Sequence, residues 1–157
     1  MNPIPLLLFC VLTLLGCSKQ QVNSNNFNIF IEDHTHRIDL NKGVYEVFRE
    51  EGNQKVFFNL SKNDKQAILD FINQNSSLLK EGKRDFFSIH WALPVSENTV
   101  TIFNNQTVSV IAYCDPCYYP FDFVTVEKVD KLVKMIKHIC QKDKNVRKLP
   151  DSNFYLE

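Results

Sequence analysis

The chain has 157 residues, with 18 Lys and Arg against 18 Asp and Glu, so its formal net charge is zero. A neutral chain lacks the basic footprint that nucleic acid demands and the basic face that an anionic lipid surface attracts. It holds four glycines; none sits in a nucleophile elbow or a phosphate-cradling loop, so serine-elbow hydrolysis and nucleotide binding have no scaffold.

The apolar run from Ile4 to Leu15 is shorter than the roughly 20 residues needed to span a bilayer, and has the length of a signal-peptide core. It closes on Leu14-Leu15-Gly16-Cys17. These four residues resemble the lipobox of bacterial lipoproteins. The resemblance implies that residues 1–16 are a signal peptide, that Cys17 carries a diacylglyceryl thioether, and that the new N-terminus is acylated. Two or more acyl chains hold a protein stably where one does not, so the first expected partner is a membrane, reached through Cys17. Ser18 is non-acidic, which in enterobacterial lipoproteins goes with outer-membrane sorting. The expected location is therefore the bacterial cell envelope, at the outer membrane, facing the periplasm or the surface. Residues 18–26 (SKQQVNSNN) have little to bury and read as a flexible tether, spanning on the order of 15 to 20 Å. Residues 27–157 are expected to form a single domain.

Within that domain Phe27, Ile29 and Ile31 alternate with polar neighbours, which predicts a half-buried strand. Residues 33–36 read as a turn, with Ile38 and Leu40 restarting a short strand. Residues 44–49 and 54–60 flank a turn containing Gly52, a hairpin signal. Ser61, with Asp64 three residues on, reads as the N-cap of a helix. Its expected buried stripe is Ala67, Ile68, Phe71 and Ile72. Alternation over Phe87, Ile89, Trp91 and Leu93 predicts a strand stopped by Pro94. Residues 99–103 and 107–113 flank Asn104-Asn105, a second hairpin. After an aromatic loop (CDPCYYPFDF, from Cys114 to Phe123), a second helix is expected from about Thr125 to Gln141. Val129, Val133, Ile136 and Cys140 share its apolar face, and Lys128, Lys131, Lys134 and Lys137 a solvated one. Phe154 to Leu156 read as a last short strand. Hairpins dominate this order, so the expected fold is α+β, a mainly antiparallel sheet with both helices packed on one face; a β-rich sandwich is the alternative.

Three of the five cysteines remain after Cys10 leaves with the leader and Cys17 is committed to lipid. Cys114, Cys117 and Cys140 are disulfide candidates in an oxidising compartment. Cys114-Asp115-Pro116-Cys117 resembles the CxxC of thioredoxin-like redox proteins, which put the first cysteine at a helix N-terminus to lower its pKa. Here several residues intervene before the helix, and Asp115 disfavours a thiolate by like-charge repulsion. A structural disulfide pinning the loop is the expectation. Cys140, on an apolar helix stripe, reads as a small hydrophobe, although Cys114–Cys140 or Cys117–Cys140 pairing stays open. Zinc needs about four ligands with paired spacing. Beyond Cys114 and Cys117 the local donors are His138 and Cys140, on different sides of a helix, so no metal and no cofactor is expected. His34 and His36 flank a turn and read as solvent-exposed, and His90 as a solvated strand residue. Glu32 with Asp33, or Asp122 with Glu127, read as capping and solvation carboxylates rather than as an acid pair.

With no catalytic constellation, the expected function is a non-enzymatic, lipid-anchored envelope protein that binds another protein, of immunity or inhibitor type. The candidate surface is Tyr118, Tyr119, Phe121 and Phe123, since tyrosines are enriched at binding hot spots. A thiol–disulfide redox protein using the CDPC loop, and a structural or assembly accessory lipoprotein, are the alternatives.

Overall fold

The computed structural model describes residues 27–86, 97–105, 107–114 and 123–153. Period-two alternation sets up the centre of the fold. Strand β1 (Phe27–Glu32) turns Ile29 and Ile31 inward. A short turn leads into β2 (His36–Asp39), antiparallel to β1 with Ile31 opposite Ile38. Gly43, at φ +60, makes the next turn into β3 (Val44–Val47), and Gly52, at φ +122, sits in the turn to β4 (Gln54–Phe57). Both turns need the left-handed backbone that glycine adopts without penalty. The second hairpin joins β6 (Glu97–Asn104) to β7 (Thr107–Cys114) through Asn105 at φ 56, a conformation that Asn tolerates better than most residues.

Helix α1 (Lys62–Gln74) starts at Ser61, whose Oγ accepts from the Asp64 backbone N–H at 3.1 Å. It buries Ile68, Leu69 and Ile72. Ala67, expected in that stripe, is exposed, and Leu69 takes its place. The inward sector is centred on Ile68 and Ile72, and Leu69 falls within it at one residue from Ile68 and three from Ile72. A 3-10 turn (Ser76–Leu79) then buries Leu78 and Leu79, and the chain enters β5 (Gly82–Asp85). The strand predicted over residues 87–93, with His90, lies outside the described residues, as does the one predicted over 154–156.

The seven strands form one sheet in the order β4-β3-β2-β1-β6-β7-β5. Each pairing is antiparallel except that of β5 with β7, which is parallel. The parallel pair follows from the path of the chain. β4 and β5 are opposite edges, and α1 with its 3-10 turn carries the backbone from one edge to the other. Arg84 fastens the arrival: its guanidinium donates to the carbonyls of Ser77 and Leu78 and to Ser109 Oγ on β7, at 2.9 to 3.2 Å.

Helix α2 (Phe123–Cys140) buries Val129, Val133, Ile136 and Cys140, as its period predicts. These side chains and those of α1 join Ile29, Ile31, Ile38, Val100, Ile102 and Ile111 in one core on one face of the sheet. The fold is therefore α+β, with a mainly antiparallel sheet and both helices on one side. On β7, Ser109, Ile111 and Tyr113 are buried, alternating with the exposed Val108 and the half-buried Val110 on the opposite face. No described helix is long and apolar enough to cross a membrane.

Candidate functional site

The predicted site residues divide sharply. Cys17, Cys117, Tyr118, Tyr119 and Phe121 lie outside the described residues. Phe123 opens α2 with 60% of its surface exposed, beside Val124 at 47%. Cys114 ends β7 and is disulfide-bonded. Cys140 is a free thiol with no exposed surface. Its state excludes both pairings left open for it, Cys114–Cys140 and Cys117–Cys140. The cause is its position on the innermost line of α2, against the sheet. Burial first, then the nearby Asp143 charge, pushes its pKa up to about 12, so it is a protonated, unreactive hydrophobe. Among the described residues no group of three or more His, Cys, Asp and Glu side chains could hold a metal ion.

The polar chemistry of the described residues gathers instead at the β1–β2 turn. Asp33 Oδ1 accepts from the backbone N–H of Thr35 and of His36, each at 2.7 Å, and from Thr35 Oγ1 at 2.6 Å. This is an Asx turn in which the side chain replaces a backbone acceptor. Its other oxygen, Oδ2, lies 2.7 Å from Lys137 Nζ on α2. The two side chains are 3% and 30% exposed. Burial works to raise the Asp33 pKa. Hydrogen bonds involving His36, Lys137 and Thr35, with the Lys137 charge, outweigh it and hold the carboxyl well below the usual range. Lys137 is thus not part of a solvated stripe. Lys131 and Lys134 are, each exposed and paired four residues back with Glu127 and Asp130. His34 and His36 are both half-buried rather than solvent-exposed. The His34 Nδ1 is buried with no hydrogen-bond partner among the described residues. The His36 ring meets Tyr45 edge-on at 5.5 Å.

Sequence reasoning missed this cluster because it joins residues about a hundred positions apart. Two local signals were nonetheless present: Asp33-x-Thr35 has Asx-turn spacing, and Lys137 sits four residues after the buried Val133 and three before the buried Cys140.

Beside the cluster opens a cleft of about 500 Å³. One wall is His36 on β2 with Tyr45 and Val47 on β3. The other is the end of α2, at His138 and Gln141, followed by a second 3-10 turn (Val146–Lys148). Leu149, Pro150 and Asp151 close it. That closing segment is strapped to the β3–β4 hairpin. Arg49 Nη1 donates to the Asp151 carbonyl at 2.7 Å, Ser152 Oγ to the Phe48 carbonyl at 2.7 Å, and the Glu50 backbone N–H to Asn153 Oδ1 at 3.2 Å. Burial pushes the Tyr45 phenol above its ordinary pKa, which keeps its hydroxyl a donor. Lys142, on the rim, is held by Asp64 at 2.7 Å. No protein-family model, no curated protein and no solved structure matches the chain.

Proposed function

We propose that the protein is a lipid-anchored component of the bacterial envelope that acts by binding another protein, in the manner of an immunity- or inhibitor-type lipoprotein, rather than by catalysis. The observation that carries the binding reading is Phe123. Of the four aromatics Tyr118, Tyr119, Phe121 and Phe123, it is the one among the described residues, and it keeps 60% of its surface. Burying a phenylalanine side chain is worth about 1.5–3 kcal/mol, a gain this ring has not collected within the fold. An exposed aromatic ring is the raw material of an interface anchor. The anchoring reading rests on Leu14-Leu15-Gly16-Cys17 and on the polar segment 18–26 that precedes β1.

Two measurements test this. Full-length chain expressed in a diderm bacterium is fractionated beside Cys17→Ser, with mass spectrometry of the processed terminus. The expected result is an acylated Cys17 in the membrane fraction and release of the variant; an unmodified thiol overturns the anchor. A photoreactive phenylalanine analogue is then placed at Phe123, and as a control at the exposed Lys55 of β4. A discrete covalent adduct from position 123 alone is expected. Equal adducts from both positions, or none, overturn the binding surface.

Thiol–disulfide exchange is a second reading, for which the bonded Cys114 supplies the disulfide. A reduction potential in the range of the exchange proteins supports it. A bond that resists reductant until the protein unfolds supports a structural staple.

A further inference from the structure

We propose that the cleft between β3, the end of α2 and residues 146–151 binds a small organic carboxylate. Its volume of about 500 Å³ falls within the range of small-molecule pockets. Its charge is unbalanced in one direction. Lys142 is already neutralised by Asp64. Arg147 and His138 have no side-chain hydrogen bond or ion pair among the described residues. His36 adds a second imidazole, and the single acid on the lining is Asp151. A guanidinium free of an internal acid, beside two imidazoles, favours an anion.

The remaining surface decides which anion. Val47, Val146, Leu149 and Pro150 give the cleft an apolar lining that would bury a hydrocarbon body and do nothing for inorganic phosphate. The planar fork of Arg147 matches the two oxygens of a carboxylate. Tyr45 strengthens the case. It is 4% exposed and lines the cleft, and its hydroxyl has no hydrogen-bond partner among the described residues. That hydroxyl is not one of the buried unsatisfied atoms of the fold; it reaches the cleft, where it can donate to a carboxylate oxygen. The site is independent of the Phe123 surface proposed above: it is built from His36, Tyr45 and Val47 at one wall and residues 138–151 at the other.

The test uses the full-length chain, isotope-labelled and purified in a mild detergent, with benzoate, benzamide and inorganic phosphate as probes in backbone NMR titrations. Saturable benzoate binding is expected, with shifts concentrated at Tyr45, Val47, His138 and Arg147. Benzamide, its neutral isostere, should bind about tenfold more weakly. Arg147→Gln should weaken benzoate about tenfold and leave benzamide unchanged. Both Arg147 and His138 are exposed, so neither substitution threatens folding, and His138→Gln provides a second, smaller loss on benzoate alone. Equal affinity for benzoate and benzamide, full benzoate affinity in Arg147→Gln, tighter binding of phosphate than of benzoate, or absence of saturable binding each overturns the assignment.

Discussion

Lys137 Nζ on α2 lies 2.7 Å from Oδ2 of Asp33, a residue 104 positions earlier in the chain. The bond ties the last turns of the helix to the turn between β1 and β2. It forms one wall's foundation for the cleft, because His36 and Tyr45 on one side and His138 on the other are held in place by the elements it joins.

The pair makes stability depend on acid. Asp33 has its folded pKa held below the ordinary value of 3.8. The sign follows from linkage: a carboxyl depressed in the folded state contributes stability that is present above its unfolded pKa and lost as pH falls. Resistance to urea should therefore fall as pH drops through about 4 and continue to fall below it. Asp33→Asn should flatten that dependence. Lys137→Met should cost about 2–3 kcal/mol at pH 7, near the low end for orphaning a buried charge, because water still reaches the Lys137 side chain. A wild-type acid profile unchanged in Asp33→Asn would refute this account.

Gly43 has no tolerable substitute. Its φ is +60, and a Cβ there would lie 2.3 Å from the Phe58 carbonyl oxygen. The same approach lets the Phe58 backbone N–H donate to the Gly43 carbonyl at 2.8 Å. Gly43→Ala should lose about 2–3 kcal/mol, combining left-handed strain with displacement of the β4 end. Gly52→Ala, at φ +122 with nothing within 4 Å, should lose only the backbone strain, about 1 kcal/mol. Denaturant midpoints of the two variants give the comparison.

Cys140 should be silent in the native state. It has no exposed surface and a pKa pushed up to about 12, so thiolate is scarce at neutral pH and reagent has no access. Iodoacetamide at pH 8 should leave it unmodified until denaturant opens the core, with a labelling rate that tracks global unfolding. Rapid labelling in native buffer, read by peptide mass spectrometry, would show the thiol to be reachable after all.

Ser61→Ala should destabilise the protein by about 1 kcal/mol. The serine caps α1 through Asp64, and Asp64 in turn receives Lys142 from beyond α2. Adding Lys142→Ala in a double-mutant cycle should reveal coupling between the two positions, because Ser61 Oγ also donates to Asp64 Oδ2 and Lys142 Nζ to Asp64 Oδ1 of the same carboxylate.

Much of the fold was legible in local patterns. The β1 alternation, the Gly52 and Asn105 turns, the Ser61 cap and the 3.6-residue stripe of α2 all depend on neighbours within a few residues. The misreadings share a different cause. Ala67 was assigned inward because a period alone cannot tell which of two adjacent lines of a helix meets the sheet. β5 went unseen because Gly-Lys-Arg-Asp has no strand pattern. It is a strand because β7 offers it an edge and because Arg84 finds carbonyls on the 3-10 turn. Lys137 was read as solvated since its partner Asp33 lies 104 positions away; His36 was read so because the Asx turn that ties it to Asp33 is half-buried only once β2 and β3 pack beside it. Of the predicted partner surface, Phe123 alone falls among the described residues.

By itself, then, the order of residues determined the neutral charge, the helix and hairpin positions, the α+β class and the lipobox-like start, all of which depend on composition or short-range spacing. Only the tertiary structure decided that Cys140 is a buried free thiol, that Asp33 and Lys137 share a bond, and that His36, Tyr45, His138 and Arg147 line one cleft. The physical reason is distance along the chain. These relationships join segments separated by loops and a helix. What brings them together is burial of one apolar face against another, a force without direction that leaves polar partners to be chosen by the packing it produces.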